Sequence, residues 1–290
     1  MSTLVKVFME RTTLKDRLGR NQFPRTMELP SQSSKYWAKE KDRYLRQLLI
    51  SDIEEQTERE LLVYFARLDQ PITDTDPDDL SEIFEGIDGR SIDLMIQTPG
   101  GKVDAVEKMV TVLRNRTDDY RVIVPSWAKS GGTVIALSST KIVLGVNSEL
   151  GPIDPQMLHP QFGMVPAEYL MSDPTMPPTI QKIAEANVKR MRALAESYLK
   201  DGMLAHAPHE VETVVKKISS ANTYMSHGAV IDHSEALGLG LSVEYLEPSD
   251  ALWRRIWLLY CLYDFDLGAR GLGKVFEGCS YSLQRPPLGG

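Results

Sequence analysis

Two stretches decide the fold of this chain: IDLMIQTPGG at residues 92–101 and RVIVPSWAKSGGT at residues 121–133. Each begins with a short apolar run rich in strand formers and ends in a glycine-rich turn. A segment with helical spacing follows each turn, Val103 to Arg114 after the first and Thr133 to Ser138 after the second. Strand, turn and helix repeated at a spacing of about thirty residues predict β-α-β crossovers with parallel, buried strands.

The same pattern extends in both directions along the chain. Further strands are predicted at Leu61 to Phe65, Lys141 to Leu144 and Leu241 to Leu246. Helices are predicted over residues 36–50, 180–200, 210–218 and after Ser249. We expect three parts: an N-terminal arm at 1–34, an α/β domain at 35–265 and a C-terminal tail at 266–290.

Composition narrows the class of protein. The 290 residues are 42% hydrophobic and 25% charged, which is typical of a globular chain. A net charge of -7 disfavours a nucleic-acid binder, which needs a basic surface. The two cysteines, Cys261 and Cys279, predict neither a disulfide scaffold nor a zinc site. The first thirty residues are polar and lack the apolar run of a signal peptide, so we expect a cytoplasmic protein, with peripheral membrane association left open.

The turn at Ser130 has the features that acyl transfer requires. A serine on a sharp strand-to-helix turn exposes its hydroxyl, and the N–H of Gly131 faces the reacting carbonyl. Gly100 and Gly101 end a neighbouring strand, and Gly101 can present a second N–H with no Cβ in the way. The ordinary alternative is that these glycines only form turns and that Ser130 only caps a helix.

The order and spacing of three motifs bring a resemblance to a known group of proteins. The motifs are Ile96 to Gly101 (IQTPGG), Trp127 to Thr133 (WAKSGGT) and Ser148 to Pro155 (SELGPIDP). Together they resemble the ClpP and signal-peptide-peptidase group, and they are most similar to the serine dehydrogenase proteinases within it. The segment from Thr223 to Gly228 resembles the late part of the ClpP core. The resemblance implies a ClpP/crotonase-like ββα spiral, recognition of extended peptides and a homo-oligomer.

The identity of the general base stays open among three residues. The position of the ClpP histidine falls on Ile153 here, whereas signal peptide peptidases use a lysine. Lys182 and Lys189 lie on the predicted 180–200 helix, and the resemblance to the serine dehydrogenase proteinases favours Lys189. His227, on a turn near the end of the core, is the third candidate. We interpret Lys129 as structural, because adjacent side chains point in different directions.

The sequence therefore predicts a serine endopeptidase that forms an acyl-enzyme on Ser130, uses a serine–lysine dyad with Lys189, and stabilises the oxyanion with the N–H groups of Gly101 and Gly131. No cofactor is expected, and the remaining histidines show no metal-ligand spacing. The alternatives are a crotonase-like acyl thioester enzyme, which needs no nucleophilic serine, and a catalytically silent peptide-binding scaffold.

An aromatic stripe on the helix after Ser249 has two interpretations. Trp253, Ile256, Trp257 and Tyr260 lie at helical spacing and form one apolar face. The stripe is either part of a subunit interface or the lid that closes the core.

Overall fold

A computed structural model describes residues 33–84, 87 and 90–289. Almost all of the predicted N-terminal arm lies outside these residues. The helices are α1 (Ser34–Thr57), α2 (Asp76–Glu82), α3 (Val103–Arg116), α4 (Gly131–Leu137), α5 (Ala167–Ser172), α6 (Pro178–Asp201), α7 (Val211–Ile218), α8 (Ala221–Tyr224), α9 (His233–Gly238) and α10 (Ala251–Arg270). The strands are β1 (Glu60–Ala66), β2 (Ile92–Gln97), β3 (Tyr120–Val124), β4 (Trp127–Ala128), β5 (Lys141–Gly145), β6 (Glu149–Leu150), β7 (Gln156–His159), β8 (Gly163–Pro166), β9 (Val243–Leu246), β10 (Lys274–Glu277) and β11 (Ser282–Arg285).

The centre of the molecule is a seven-stranded sheet in the order β11-β10-β1-β2-β3-β5-β9. Five neighbouring strands of this sheet are parallel, and all five were predicted from their apolar runs. They are β1, β2, β3, β5 and β9. Parallel strands are joined by helical crossovers, so their carboxyl ends lie at one edge of the sheet. Both glycine-rich turns lie at that edge.

Helices cover both faces of the sheet. Leu94, Ile96 and Val122 belong to the larger core, to which α3, α4, α6 and α7 contribute. Met95 and Ile123, which alternate with them along the strands, belong to a second core closed by α1 and α10. This alternation is the two-residue period of a strand, and burial of both sets explains why the strands are continuously apolar.

A row of short strand pairings continues beyond the carboxyl edge of the sheet. β4 pairs with β6, and single bridges join Ile72 to Gly101, Thr98 to Ala128 and Leu150 to Ile231. Each repeat thus adds a second, shorter strand segment after its main strand. This outer row determines which loops meet at the edge of the sheet.

The aromatic stripe on α10 packs inside the molecule. Trp253 and Ile256 are buried in the second core, and Trp257 and Tyr260 pack against it while partly exposed. The buried half of the stripe therefore closes the second core, and a subunit interface at its exposed half stays a prediction. The exposed side of α10 carries other large apolar residues, Leu258 and Phe265.

The C-terminal segment differs from the predicted tail. α10 continues to Arg270, and β10 pairs with β1 in antiparallel orientation while β11 pairs with β10. Residues 266–270 therefore complete the covering helix, and residues 274–277 and 282–285 add two strands to the sheet. The strands β10 and β11 have four residues each and are too short for their periodicity to be recognised.

Among the described residues, no helix combines the length and the apolar character needed to cross a membrane.

Candidate active site

Ser130 lies in a strained conformation at the amino end of α4. Its φ is 51° and its ψ is -113°, a backbone conformation that residues other than glycine rarely adopt. The turn is held on both sides: the N–H of Lys129 donates to Thr98 O at 3.0 Å, and the N–H of Gly132 donates to Lys129 O at 2.8 Å. Such strain persists only where the surroundings enforce it, and it is concentrated at functional sites.

The Gly100-Gly101 turn contacts the Ser130 turn directly. A Cβ on Gly100, whose φ is 87°, would lie 2.7 Å from Gly131 N and 2.7 Å from the Ser130 Cβ. A Cβ on Gly101, whose φ is 157°, would lie 2.4 Å from Ile72 N. Both positions therefore require glycine, because the backbone of a neighbouring segment occupies the space of a side chain.

The amides of Gly101 and Gly131 lie close together. A Cβ built on Gly131 would lie 3.4 Å from Gly101 N. Within the described part of the chain, neither N–H donates a hydrogen bond to a protein acceptor. Two adjacent amides without a protein acceptor are what an oxyanion-binding pair requires.

A buried ion pair braces the segment that supports Gly101. Ile72 accepts from the N–H of Lys102 at 3.1 Å and donates to Gly100 O at 2.7 Å. Lys274 donates to Pro71 O at 2.7 Å and to the carboxylate of Asp76. Tyr64 also donates to that carboxylate, at 2.7 Å.

Burial and the charge of Asp76 together raise the pKa of Tyr64. The neutral phenol therefore remains a hydrogen-bond donor to the ion pair that holds the Ile72 segment.

His227 and Asp154 form a hydrogen-bonded pair at the same edge of the sheet. The two side chains approach within 2.7 Å, from His227 Nδ1 to Asp154 Oδ1. Asp154 is buried, and Gln156 Nε2 donates to its other oxygen at 2.6 Å. Because an ionised carboxylate only accepts, Nδ1 carries the hydrogen in this bond, and Nε2 of the neutral ring is left as an acceptor.

A single cleft brings these groups together. It has a volume of about 730 Å³, and its lining includes Ser130, Gly100, Gly101 and His227. Apolar residues make up much of the remaining wall, namely Pro71, Val103, Met164 and Met191. Ser130, the two glycine-rich turns and one candidate base are therefore assembled around one space.

Neither candidate lysine lines the cleft. Lys189 is 75% exposed in its side chain, and its Nζ pairs with Glu185 at 2.7 Å one helical turn away. Lys182 is also exposed. The residues of α6 that reach the cleft are Asn187, Arg190 and Met191. At about 100° per residue, Lys189 points to a different side of the helix from all three.

The cation that α6 contributes to the cleft is Arg190. It forms ion pairs with Glu107, at 2.9 Å, and with Asp104, both on α3. Hydrogen bonds to Glu107 and Asp104 raise the pKa of its guanidinium. Its charge is therefore matched within the protein.

The pairing of His227 with Asp154 was not predicted. His227 was one of three predicted candidate bases and Asp154 lies in the Ser148 to Pro155 motif, but no partner was predicted for the histidine. The two residues are 73 positions apart and meet because Leu150 pairs with Ile231 in the outer row of strand segments. One signal was available in the sequence: Asp154 is the only charged residue in the segment from Leu150 to Pro155.

No three histidine, cysteine, aspartate or glutamate side chains in the described ranges are grouped closely enough to hold a metal ion.

Comparison with known proteins identifies the family. Residues 71–275 match the family model of ClpP-like SDH-type serine proteinases, and the chain belongs to this family. The predicted resemblance is thereby confirmed, as is the α/β ClpP-like fold, and the family is one of serine proteinases.

Two relatives come from Methanocaldococcus jannaschii. The uncharacterized protein MJ1495 is 30% identical over 184 residues, which cover 62% of this chain and 59% of that protein. The uncharacterized protein MJ0137 is 31% identical over 193 residues, which cover 63% of this chain and 62% of that protein. The chain thus matches less than two thirds of the length of each relative.

Proposed function

We propose that this protein hydrolyses peptide bonds through an acyl-enzyme on Ser130, with His227 as the general base and Asp154 as its orienting partner. The observation that carries the proposal is the shared cleft: a strained serine and a carboxylate-bound histidine line one space, beside two amides that have no acceptor in the described part of the chain. Nucleophile, base and a third group that orients the base are the elements of serine hydrolysis on unrelated folds.

Each group then has one role in the reaction. Nε2 of His227 accepts the Ser130 proton as Oγ attacks the carbonyl carbon, and later delivers it to the leaving amine. Asp154 holds the imidazole in the tautomer that leaves Nε2 free and stabilises the imidazolium. The N–H groups of Gly101 and Gly131 donate to the oxyanion as it forms. A water molecule then hydrolyses the ester on Ser130.

The apolar wall of the cleft supports a peptide or protein substrate. Val103, Met164 and Met191 offer an apolar surface to the side chains near the scissile bond. Arg190 lies among them with its charge already matched by two carboxylates. We therefore propose an endopeptidase that prefers apolar side chains next to the bond it cleaves.

His227 is a better candidate than the lysine favoured by the resemblance. A lysine base has to be neutral, which requires burial away from water and from carboxylates. Lys189 does not meet this requirement, because its side chain is largely exposed to water and is paired with the carboxylate of Glu185. The buried Asp154 behind His227 supports the histidine. The same pair also argues for a hydrolase over an acyl thioester enzyme, which needs no nucleophile.

The first test is labelling with a fluorophosphonate probe together with hydrolysis of a casein substrate. We expect wild-type protein and Lys189→Ala to label and to cleave, and Ser130→Ala to do neither. His227→Ala should label slowly and lose at least about 100-fold in kcat, because general-base catalysis contributes on that order. Full activity of Ser130→Ala would refute the hydrolase.

The second test separates histidine from lysine as the base. In His227→Gly the cleft gains room for a free imidazole molecule, so added imidazole should restore part of the activity. The matched control is Lys189→Gly, where imidazole should change nothing. If Lys189→Gly is inactive and His227→Gly is active, the base is the lysine.

A further inference from the structure

The side chain of Lys129, next to the nucleophile, ends among backbone carbonyl groups rather than in solvent. Its Nζ lies 3.2 Å from Leu150 O, 3.1 Å from Ala229 O and 3.5 Å from Gly228 O. It also pairs with the carboxylate of Glu149 at 2.9 Å, and the Lys129 side chain is only 14% exposed. The ammonium group thus joins the Ser130 turn to two other segments.

The neighbouring segment makes room for this side chain. A Cβ on Gly151 would lie 2.6 Å from Lys129 Cδ, so the aliphatic stem passes over a glycine. The hydroxyl of Thr133 lies 2.9 Å from both Ala128 O and Gly151 O. The Ser130 turn is therefore attached to the Gly151 segment on both of its flanks.

One of the carbonyl groups bound by Lys129 lies immediately after His227. The loop that carries the histidine follows Met225, which is 84% exposed and has a φ of 55°. Among the described residues, the N–H groups of Gly228 and Ala229 donate only to Ser226. Of the side chains that the structure describes, only Lys129 donates to the carbonyl groups of Gly228 and Ala229. Lys129, which is next to Ser130, therefore holds the backbone that follows His227.

We infer that Lys129 is a positioning residue whose ammonium group sets the separation between Ser130 and His227. This inference rests on the proposed function, since it concerns the base of that mechanism. Lys129 does not exchange protons with the substrate: its Nζ is directed at four oxygen atoms of the protein. Without the ammonium group, the 226–230 loop loses its link to the Ser130 turn, and Nε2 of His227 moves relative to Oγ.

The test is a double-mutant cycle in kcat for peptide hydrolysis, with Lys129→Met and His227→Ala as the two changes. Methionine keeps an unbranched stem and removes all three donors. Lys129→Met should lower kcat by about 10- to 100-fold with little change in KM, because a shift of roughly 1 Å at a reacting group costs on that order. In the His227→Ala background the same substitution should change kcat by less than about twofold, because residues that act through one another are not additive.

A general structural role predicts a different result. Loss of folded protein would lower kcat by the same factor in both backgrounds, and that outcome overturns the inference. So does a wild-type kcat in Lys129→Met. Lys189→Met is the matched control, an exposed lysine of equal size, and should retain wild-type kcat.

A second substitution keeps the test decisive if Lys129→Met does not fold. Glu149→Gln removes the charge that faces Nζ and leaves the carbonyl contacts in place. We expect a smaller loss in kcat, about two- to tenfold on the same positional argument, again absent in the His227→Ala background. An equal loss in both backgrounds overturns the inference.

The arms of the cycle also separate the two proposals. If His227→Ala alone keeps wild-type kcat, the proposed base is wrong and the role of Lys129 falls with it. If His227→Ala loses activity and Lys129→Met is additive with it, only the role of Lys129 is wrong.

Discussion

The outer edge of the central sheet, formed by β10 and β11 with α1 and α10 packed beside it, and the cleft beside Ser130 both contain buried charged side chains. At the outer edge, Arg46 of α1 donates to both oxygens of Glu277 and pairs with Asp266 of α10. Arg46 and Glu277 are fully buried. Burial alone would lower the pKa of the Arg46 guanidinium, but Glu277, Tyr263 and Asp266 together raise it above its ordinary value.

The cleft is built in the opposite way. Its serine has a strained backbone, its histidine is 30% exposed, and two of its amides have no acceptor among the residues that the structure describes. The outer edge satisfies its buried charges internally and contributes to the stability of the fold. The cleft leaves donors and acceptors unused, because those groups are the ones that can bind a reacting substrate. Substitutions in the two regions should therefore affect different measurements.

The largest effect on stability is expected from Arg46→Met. Removing one partner of a buried ion pair leaves uncompensated charge, here on two carboxylates, and costs about 3–5 kcal/mol of unfolding free energy. Urea denaturation measures it. The control is Arg67→Met, since Arg67 pairs with Asp69 at the surface and should contribute less than about 1 kcal/mol. Equal losses in the two variants would contradict the contrast between buried and exposed pairs.

Gly101→Ala should act mainly on turnover. The new Cβ meets Ile72 N and displaces the Gly101 amide, and loss of one oxyanion donor lowers kcat by about 100-fold or more. Measured kcat and KM decide this, because a change in KM alone would mean that Gly101 serves binding only. Gly271→Ala is the control: its φ of 62° is also unfavourable for alanine, but its Cβ meets no neighbour and lies on the cap of α10.

A smaller effect, in the stabilising direction, is expected from Ser130→Gly. The strain at φ 51° is of order 1–3 kcal/mol, and glycine relieves it while losing more chain entropy on folding, so Ser130→Gly should be about 1 kcal/mol more stable than Ser130→Ala. Both variants should be inactive, so the difference isolates the backbone. If Ser130→Ala is the more stable of the two, the turn stores no strain.

The sequence predicted the parts of the site that local pattern determines. Ser130 and Gly101 were identified because each follows an apolar strand within a few residues, and strand ends meet at one edge of a parallel sheet. Asp154 was missed because its contact with His227 depends on a pairing between distant segments. Lys129 was interpreted from its direction relative to Ser130, whereas its role depends on where a four-carbon side chain ends.

The orientation of a helix about its own axis is another property that the sequence did not settle. Lys189 was selected by its position along α6, and a rotation of the helix decides whether that position reaches the cleft. β10 and β11 were missed for a different reason: a strand of four residues is too short to show a hydrophobic period.

The smallest expected effect is that of Lys189→Ala. It tests a position that lies outside both of the compared regions. Lys189 belongs to neither region: it is exposed, lies outside the cleft lining, and pairs with Glu185 of its own helix. The substitution removes a charge that water already solvates and places a better helix former on α6, so neither stability nor turnover should change measurably. Urea denaturation and kcat, measured under the same conditions as for Lys129→Met, provide the check. A large loss of kcat in Lys189→Ala with normal stability would mean that α6 turns this lysine into the cleft of the working enzyme, and the roles given to His227 and Lys129 would then have to be withdrawn.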